Sequence, residues 1–115
     1  LIRLSDEDER IQQITVQNLK EQIDKDERLL ILDVREKEEY QLCRIPRAKL
    51  IPLKEIPKRF TEINTSENIV VYCHSGIRSA QATLFLKKKG YSNVKNLIGG
   101  IDSWSINIDP DVARY

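Results

Sequence analysis

The chain has 115 residues, with 19 Lys and Arg against 18 Asp and Glu and a formal net charge of +1. That is enough sequence for one domain with a real core, and no charge excess that would grip nucleic acid or a membrane surface. No apolar run is long enough to span a bilayer and no signal-peptide pattern opens the chain, which points to a soluble, cytoplasmic protein. Methionine is absent even at position 1, so the residues read as a domain cut from a longer polypeptide or as a processed product. Two cysteines in a chain with this much apolar content need no disulfide and are read as free thiols.

In chain order, residues 1–12, with Asp6-Glu7-Asp8-Glu9, read as an acidic leader or linker end, and residues 13–115 as a single domain. A brief strand is expected around Ile14-Thr15-Val16, with Thr15 capping a helix that carries Leu19 and Ile23 on one face. Leu29-Leu30-Ile31-Leu32-Asp33-Val34-Arg35 is apolar enough for a central strand. Glu36 to Leu42 reads as helical with Tyr40 turned inward, and Ala48 to Pro52 as a strand. Leu53 to Ile63 is a broken helical segment with Pro57 in a first turn.

Asn68-Ile69-Val70-Val71-Tyr72 is a short β-branched run suited to a strand buried on both faces of a parallel sheet. After a polar loop, Ile77, Ala80 and Leu84 recur at helical spacing with Phe85 beside them, and Ile77 is expected to pack at the base of that helix. Lys87, Lys88 and Lys89 crowd its last turn and Gly90 is placed as its left-handed stop. Val94 to Leu97 gives a last strand, and Gly99-Gly100 a close turn into a short helix whose Trp104 is expected in the core. The alternation of strand and helix implies an α/β domain with a mainly parallel sheet covered on both faces.

Cys73 therefore sits where a strand feeds a helix. The first N–H groups of a helix lack internal partners, and a loop that turns its amides inward forms an anion cradle. Gly76 supplies the backbone freedom that such a loop needs, and Arg78 stands ready to add a fixed positive charge at its rim. A cysteine in such a field has a pKa of roughly 3.5 to 7.5, so the expected species is a thiolate nucleophile.

Cys73-His74-Ser75-Gly76-Ile77-Arg78-Ser79 resembles the active-site loop of rhodanese-like sulfurtransferases, Cys-x-x-Gly-x-Arg-Ser. Leu32-Asp33-Val34-Arg35, Glu38-Glu39-Tyr40, Ile45-Pro46 and Gly99-Gly100-Ile101 with Trp104 follow the same family in order. The resemblance implies a five-stranded, mainly parallel central sheet flanked by helices, with Cys73 as the catalytic residue. It implies that His74, Ser75, Gly76, Ile77, Arg78 and Ser79 bind substrate, and that neither a metal nor an organic cofactor is required. Where the family usually has Gly-His-Ile-Pro-Gly-Ala, this chain has Cys43-Arg44-Ile45-Pro46-Arg47-Ala48, so that turn must use other backbone dihedrals or accept strain.

Two roles are open for Asp33 and Arg35: a brace that fixes the loop after their strand, or direct contact with substrate. Cys43 reads as a small buried residue, with a resolving thiol as the alternative. His74 is read as a contributor to specificity, since a preformed thiolate needs no base. Phosphatases with a cysteine nucleophile place five residues between cysteine and arginine; four lie between Cys73 and Arg78, a cradle suited to sulfur.

The tail, Gly99 to Trp104 with Ile108-Asp109-Pro110 and Tyr115, is similar to the C-terminal domain of adenylyltransferase-sulfurtransferases. That likeness implies a covalently linked adenylating domain and a ubiquitin-like sulfur-carrier protein as partners, alongside a small sulfane-sulfur donor or persulfidated protein donor. A free-standing thiosulfate sulfurtransferase and an inactive partner-binding module are the alternatives.

Overall fold

A computed structural model describes residues 10–115, so the acidic run Asp6–Glu9 lies outside the described residues. Five strands form one sheet: β1 (Gln12–Ile14), β2 (Leu30–Asp33), β3 (Ala48–Leu50), β4 (Ile69–Tyr72) and β5 (Val94–Leu97). They lie in the order β1-β5-β4-β2-β3, and every pairing is parallel. The register sets Asp33 opposite both Tyr72 and Leu50, and Ile14 opposite Leu97, so the carboxyl ends of all five strands share one edge. Cys73 follows Tyr72 directly, which places it at the edge where parallel α/β sheets gather ligands.

The helices are α1 (Val16–Asp24), α2 (Lys37–Leu42), α3 (Ile56–Arg59), α4 (Ile77–Lys88) and α5 (Gly100–Asn107), with single 3₁₀ turns at Leu53–Glu55 and Phe60–Glu62. Consecutive side chains of a strand face opposite sides, and the sequence obeys this closely. Leu32, Val71 and Val94 pack with Ile56, Ala82 and Leu86 on one face. Ile31, Val70, Tyr72 and Leu97 pack with Leu19, Ile101 and Trp104 on the other. The apolar runs of β2 and β4 are continuous because both sides of the sheet are covered.

Helix ends follow local chemistry. Thr15 caps α1 by accepting the Asn18 amide at 3.1 Å, but the strand before it ends at Ile14 and Val16 already opens the helix. Glu36 and Glu39 form a reciprocal capping box on α2, which starts one residue later than the expected Glu36. Gly90, at φ +98°, ends α4 in a Schellman motif: the Tyr91 amide donates to Leu86 O and the Gly90 amide to Lys87 O. Tyr40 is half-buried and its hydroxyl donates to Ala48 O.

The inward face of α4 differs from expectation. Ser79, Ala82, Thr83 and Leu86 are buried, whereas Ile77 is 72% exposed and does not pack beneath the helix. The helix is rotated so that Ser79, rather than Ile77, faces the sulfur of Cys73.

The departure from the family's glycines is resolved at Arg47, which takes φ +72°, a left-handed conformation that costs a side chain about 1–2 kcal/mol. Cys43, in the other glycine position, is extended at φ −163° and bears no strain. Arg47→Gly is expected to stabilise the fold by about 0.5–1 kcal/mol, the relieved strain being partly offset by the entropy of glycine in the unfolded chain. A rise in the urea midpoint with an unchanged slope would show it.

Candidate active site

The loop between β4 and α4 closes on the sulfur of Cys73. The Gly76 amide donates to Sγ at 3.1 Å and the Ser79 amide at 3.3 Å, and Ser79 Oγ lies 3.3 Å away. Gly76 reaches this geometry at φ +114°, a conformation that a side chain rarely adopts. Cys73 is 1% exposed, and burial by itself pushes its thiol up. The Ser79 hydroxyl and the amides of Ser79, Gly76 and Ser75 outweigh burial and hold the thiol below its ordinary value. The expected cradle is thus present, and it is built from amides and one hydroxyl.

A second pair of contacts fixes the loop from behind. The Ile101 amide donates to Cys73 O at 2.9 Å and the Asp102 amide to His74 O at 3.1 Å, so the first turn of α5 holds the loop carbonyls. Gly100 makes the approach feasible: a Cβ there would lie 2.5 Å from both carbonyl oxygens, and its φ is +60°. Gly100→Ala is therefore expected to cost about 1–3 kcal/mol and to disturb the cradle. Paired measurements of thermal stability and of Cys73 alkylation rate should both fall.

Arg78, read as a positive charge at the rim of the cradle, gives its hydrogen bonds to Glu39 rather than to the sulfur. Its guanidinium forms a bidentate pair with Glu39, Nη1 to Oε1 at 2.7 Å and Nη2 to Oε2 at 2.9 Å. Those bonds, working against burial, raise the Arg78 pKa, and the nearby Cys73 charge adds a smaller contribution in the same direction. The Arg78 bonds, opposed by burial and aided by the Tyr115 hydroxyl and the Glu36 amide, hold Glu39 at about 2. The pair's contribution to stability is therefore fully present above the ordinary value of 4.5 and is lost as pH falls through about 2, so it is closed throughout the neutral range.

Asp33 and Arg35 are both fully buried and pair at 2.7 Å. Tyr72 donates to Asp33 Oδ2 at 2.7 Å, and Arg35 donates to Cys43 O at 2.6 Å and to Tyr115 Oη at 3.0 Å. This geometry favours the brace over direct substrate contact: it fastens the end of β2 to the residue before Cys73 and to the turn at Cys43. Cys43 Sγ lies 3.8 Å from Arg35 Nη1, and Cys43 is half-buried. His74 is half-buried and meets the Tyr115 ring edge-on at 4.2 Å, while Ser75 and Ile77 are exposed at the loop's outer side.

Three residues of the site carried no assigned role in the sequence. Glu39 lies in a recognised landmark, yet its tie to Arg78 spans 39 positions. Tyr115 bridges Glu39 and Arg35 from the tail. Asn96 is 4% exposed within β5 and accepts the Ser79 hydroxyl at 2.5 Å; a polar side chain in an otherwise core-facing strand was its only signal.

Residues 15–107 match the rhodanese-like domain family. The chain belongs to that family, and its five-stranded parallel sheet with flanking helices is the family's fold. A rhodanese-like domain protein from Staphylococcus aureus superposes with a TM-score of 0.79 at 31% identity, over 91% of this chain and 99% of that one. Among curated relatives, a protein of Allochromatium vinosum named sulfurtransferase is 37% identical over 103 residues, covering 90% of this chain and 96% of that protein. YrkF of Bacillus subtilis is 43% identical over 95 residues, 83% of this chain, but the match spans only 51% of YrkF. The adenylyltransferase and sulfurtransferase MOCS3-2 of Zea mays is 32% identical over 109 residues, 89% of this chain, and the match spans 23% of its length.

Proposed function

We propose that the protein is a sulfurtransferase that carries a sulfane sulfur as a persulfide on Cys73. The observation that carries this reading is the set of amides and the Ser79 hydroxyl converging on one buried sulfur. The Cys73 thiolate attacks the outer sulfur of a donor such as thiosulfate. A new S–S bond forms, the donor's S–S bond breaks, and sulfite departs with the electron pair. An acceptor nucleophile then attacks the terminal sulfur, and Cys73 leaves as the thiolate with its bonding pair. The cradle stabilises negative charge on the sulfur in both steps, as an oxyanion hole does for oxygen. His74, Ser75, Gly76, Ile77, Arg78 and Ser79 form the surface that meets donor and acceptor, with Asp33 and Arg35 as the supporting brace.

The relatives supply the wider context. The likeness to MOCS3-2 and the tail motif support a role as the sulfurtransferase part of a larger adenylyltransferase-sulfurtransferase, delivering sulfur to the C-terminus of a ubiquitin-like carrier. The near-complete match to the Allochromatium protein supports the free-standing alternative. No helix of the described residues is long and apolar enough to cross a membrane, in keeping with a cytoplasmic role.

A thiosulfate:cyanide assay run beside a phosphomonoester assay tests the reading. Thiocyanate formation without phosphate release is the expected result. Phosphate release would favour cysteine phosphatase chemistry, and inactivity in both would favour a partner-binding module.

A further inference from the structure

Asn96 stands behind the cradle in a geometry that limits what Ser79 can do. Its side-chain amide donates to Gly76 O at 3.3 Å and to Gln13 Oε1 at 3.4 Å, which turns Oδ1 toward Ser79. A carboxamide oxygen carries no hydrogen, so Oδ1 acts only as an acceptor. The contact of 2.5 Å between Ser79 Oγ and Asn96 Oδ1 must therefore contain the serine hydroxyl hydrogen. A serine has one such hydrogen. While Asn96 holds it, Ser79 offers only lone pairs to the sulfur 3.3 Å away, an arrangement that suits Cys73 as a thiol donating to Ser79.

We propose that Asn96 is a positioning residue that governs the ionisation of Cys73 by competing with its sulfur for the single hydroxyl hydrogen of Ser79. When Cys73 loses its proton to water, the Ser79 hydroxyl rotates from Oδ1 to Sγ, with no covalent bond to carbon, oxygen or sulfur otherwise changed. The sulfur then gains a third strong donor beside the Gly76 and Ser79 amides, and Asn96 Oδ1 is left without the serine hydrogen. Asn96 thus weakens the thiolate in the empty site, and its amide keeps Gly76 in place for the moment when charge develops.

The other ionisable groups around the sulfur are already paired or lie beyond hydrogen-bond reach of it. Arg78 on α4 is held by Glu39 of α2, Arg35 by Asp33 at the end of β2, and Asp102 on α5 by Arg114. His74 and Tyr115 meet each other, and Lys95 of β5 donates to Asn93.

The inference rests on Cys73 being the working thiol but not on sulfur transfer itself, so its test reads ionisation alone. The rate of Cys73 alkylation by iodoacetamide is followed against pH, by peptide mass spectrometry, in the unaltered protein and in Asn96→Leu, Ser79→Ala and the double variant. Asn96→Leu removes the competitor at similar volume and should lower the titration midpoint by about half to one pH unit. In the Ser79→Ala background the same change should not lower it, because there is no hydroxyl left to release and only the support of Gly76 is lost. A shift of equal size in both backgrounds, or none in the native background, would overturn the proposal.

Should Asn96→Leu fail to fold, the unaltered protein gives the answer by nuclear magnetic resonance. The Asn96 side-chain amide signals should titrate with the Cys73 midpoint, and signals that stay flat through that midpoint would overturn the proposal equally. Failure of thiosulfate to load the protein would instead sink the sulfurtransferase reading while leaving these titrations intact.

Discussion

Cys73→Ala is expected to reduce sulfur transfer on the order of a thousandfold or more, to the background of the uncatalysed reaction, because no other group can hold the sulfur between donor and acceptor. The fold should survive. Cys73 is buried among Val34, Ile51 and Val71, and removing one sulfur atom from that cluster costs about 1 kcal/mol, within the margin of a domain this size. Cys43→Ala should keep most of the activity, since Cys43 has neither a glycine-bearing loop nor amides directed at its sulfur. Its sulfur meets Arg35 Nη1 at 3.8 Å, a group already engaged with Tyr115. Steady-state kinetics beside thermal unfolding separate loss of chemistry from loss of structure. Equal loss of activity from both cysteine variants would make Cys43 a working partner and refute the single-thiol mechanism.

Asp33→Ala should be the most damaging substitution for stability. It would leave the Arg35 guanidinium fully buried without its counter-charge and deprive the Tyr72 hydroxyl of its acceptor. Breaking one side of a buried pair costs about 3–5 kcal/mol, because the remaining charge keeps its desolvation penalty. That is a large part of the roughly 5–15 kcal/mol that holds an ordinary domain together. Asp33→Asn should cost less, since it restores an acceptor for Tyr72 while still leaving Arg35 uncompensated. Urea denaturation of the two variants checks the order. An Asp33→Ala protein as stable as the parent would mean that Asp33 and Arg35 do not brace the site.

The parts of this architecture that were legible in the sequence are those set by local pattern. Ile31-Leu32 and Val70-Val71 divide their side chains between the two cores, so the runs around them must be interior strands. Thr15 and Gly90 mark a cap and a stop by rules that act over a few residues. The glycine missing at Arg47 foretold strain, and strain is found there. The loop that cradles Cys73 was legible because consecutive residues build it.

What the sequence did not disclose are pairings made by topology. Arg78 meets Glu39 across 39 positions, Ser79 meets Asn96 across 17 and Arg35 meets Tyr115 across 80. Spacing along a chain carries no signal for such contacts. For the same reason the apolar residues of α4 misled: Ile77 lies at helical spacing from Ala80 and Leu84, but the need to aim Ser79 at Cys73 turns it outward. The electrostatic account is refined accordingly: backbone amides and one hydroxyl contact the sulfur directly, and the arginine, ion-paired with Glu39, acts on it at longer range.

The most direct test of that account is to treat the protein with thiosulfate, digest it under conditions that preserve persulfides and weigh the two cysteine peptides. One added sulfur atom on the peptide containing Cys73, none on that containing Cys43, and its loss on adding cyanide is the predicted result. An unmodified Cys73 peptide, or sulfur carried on Cys43 instead, would contradict it.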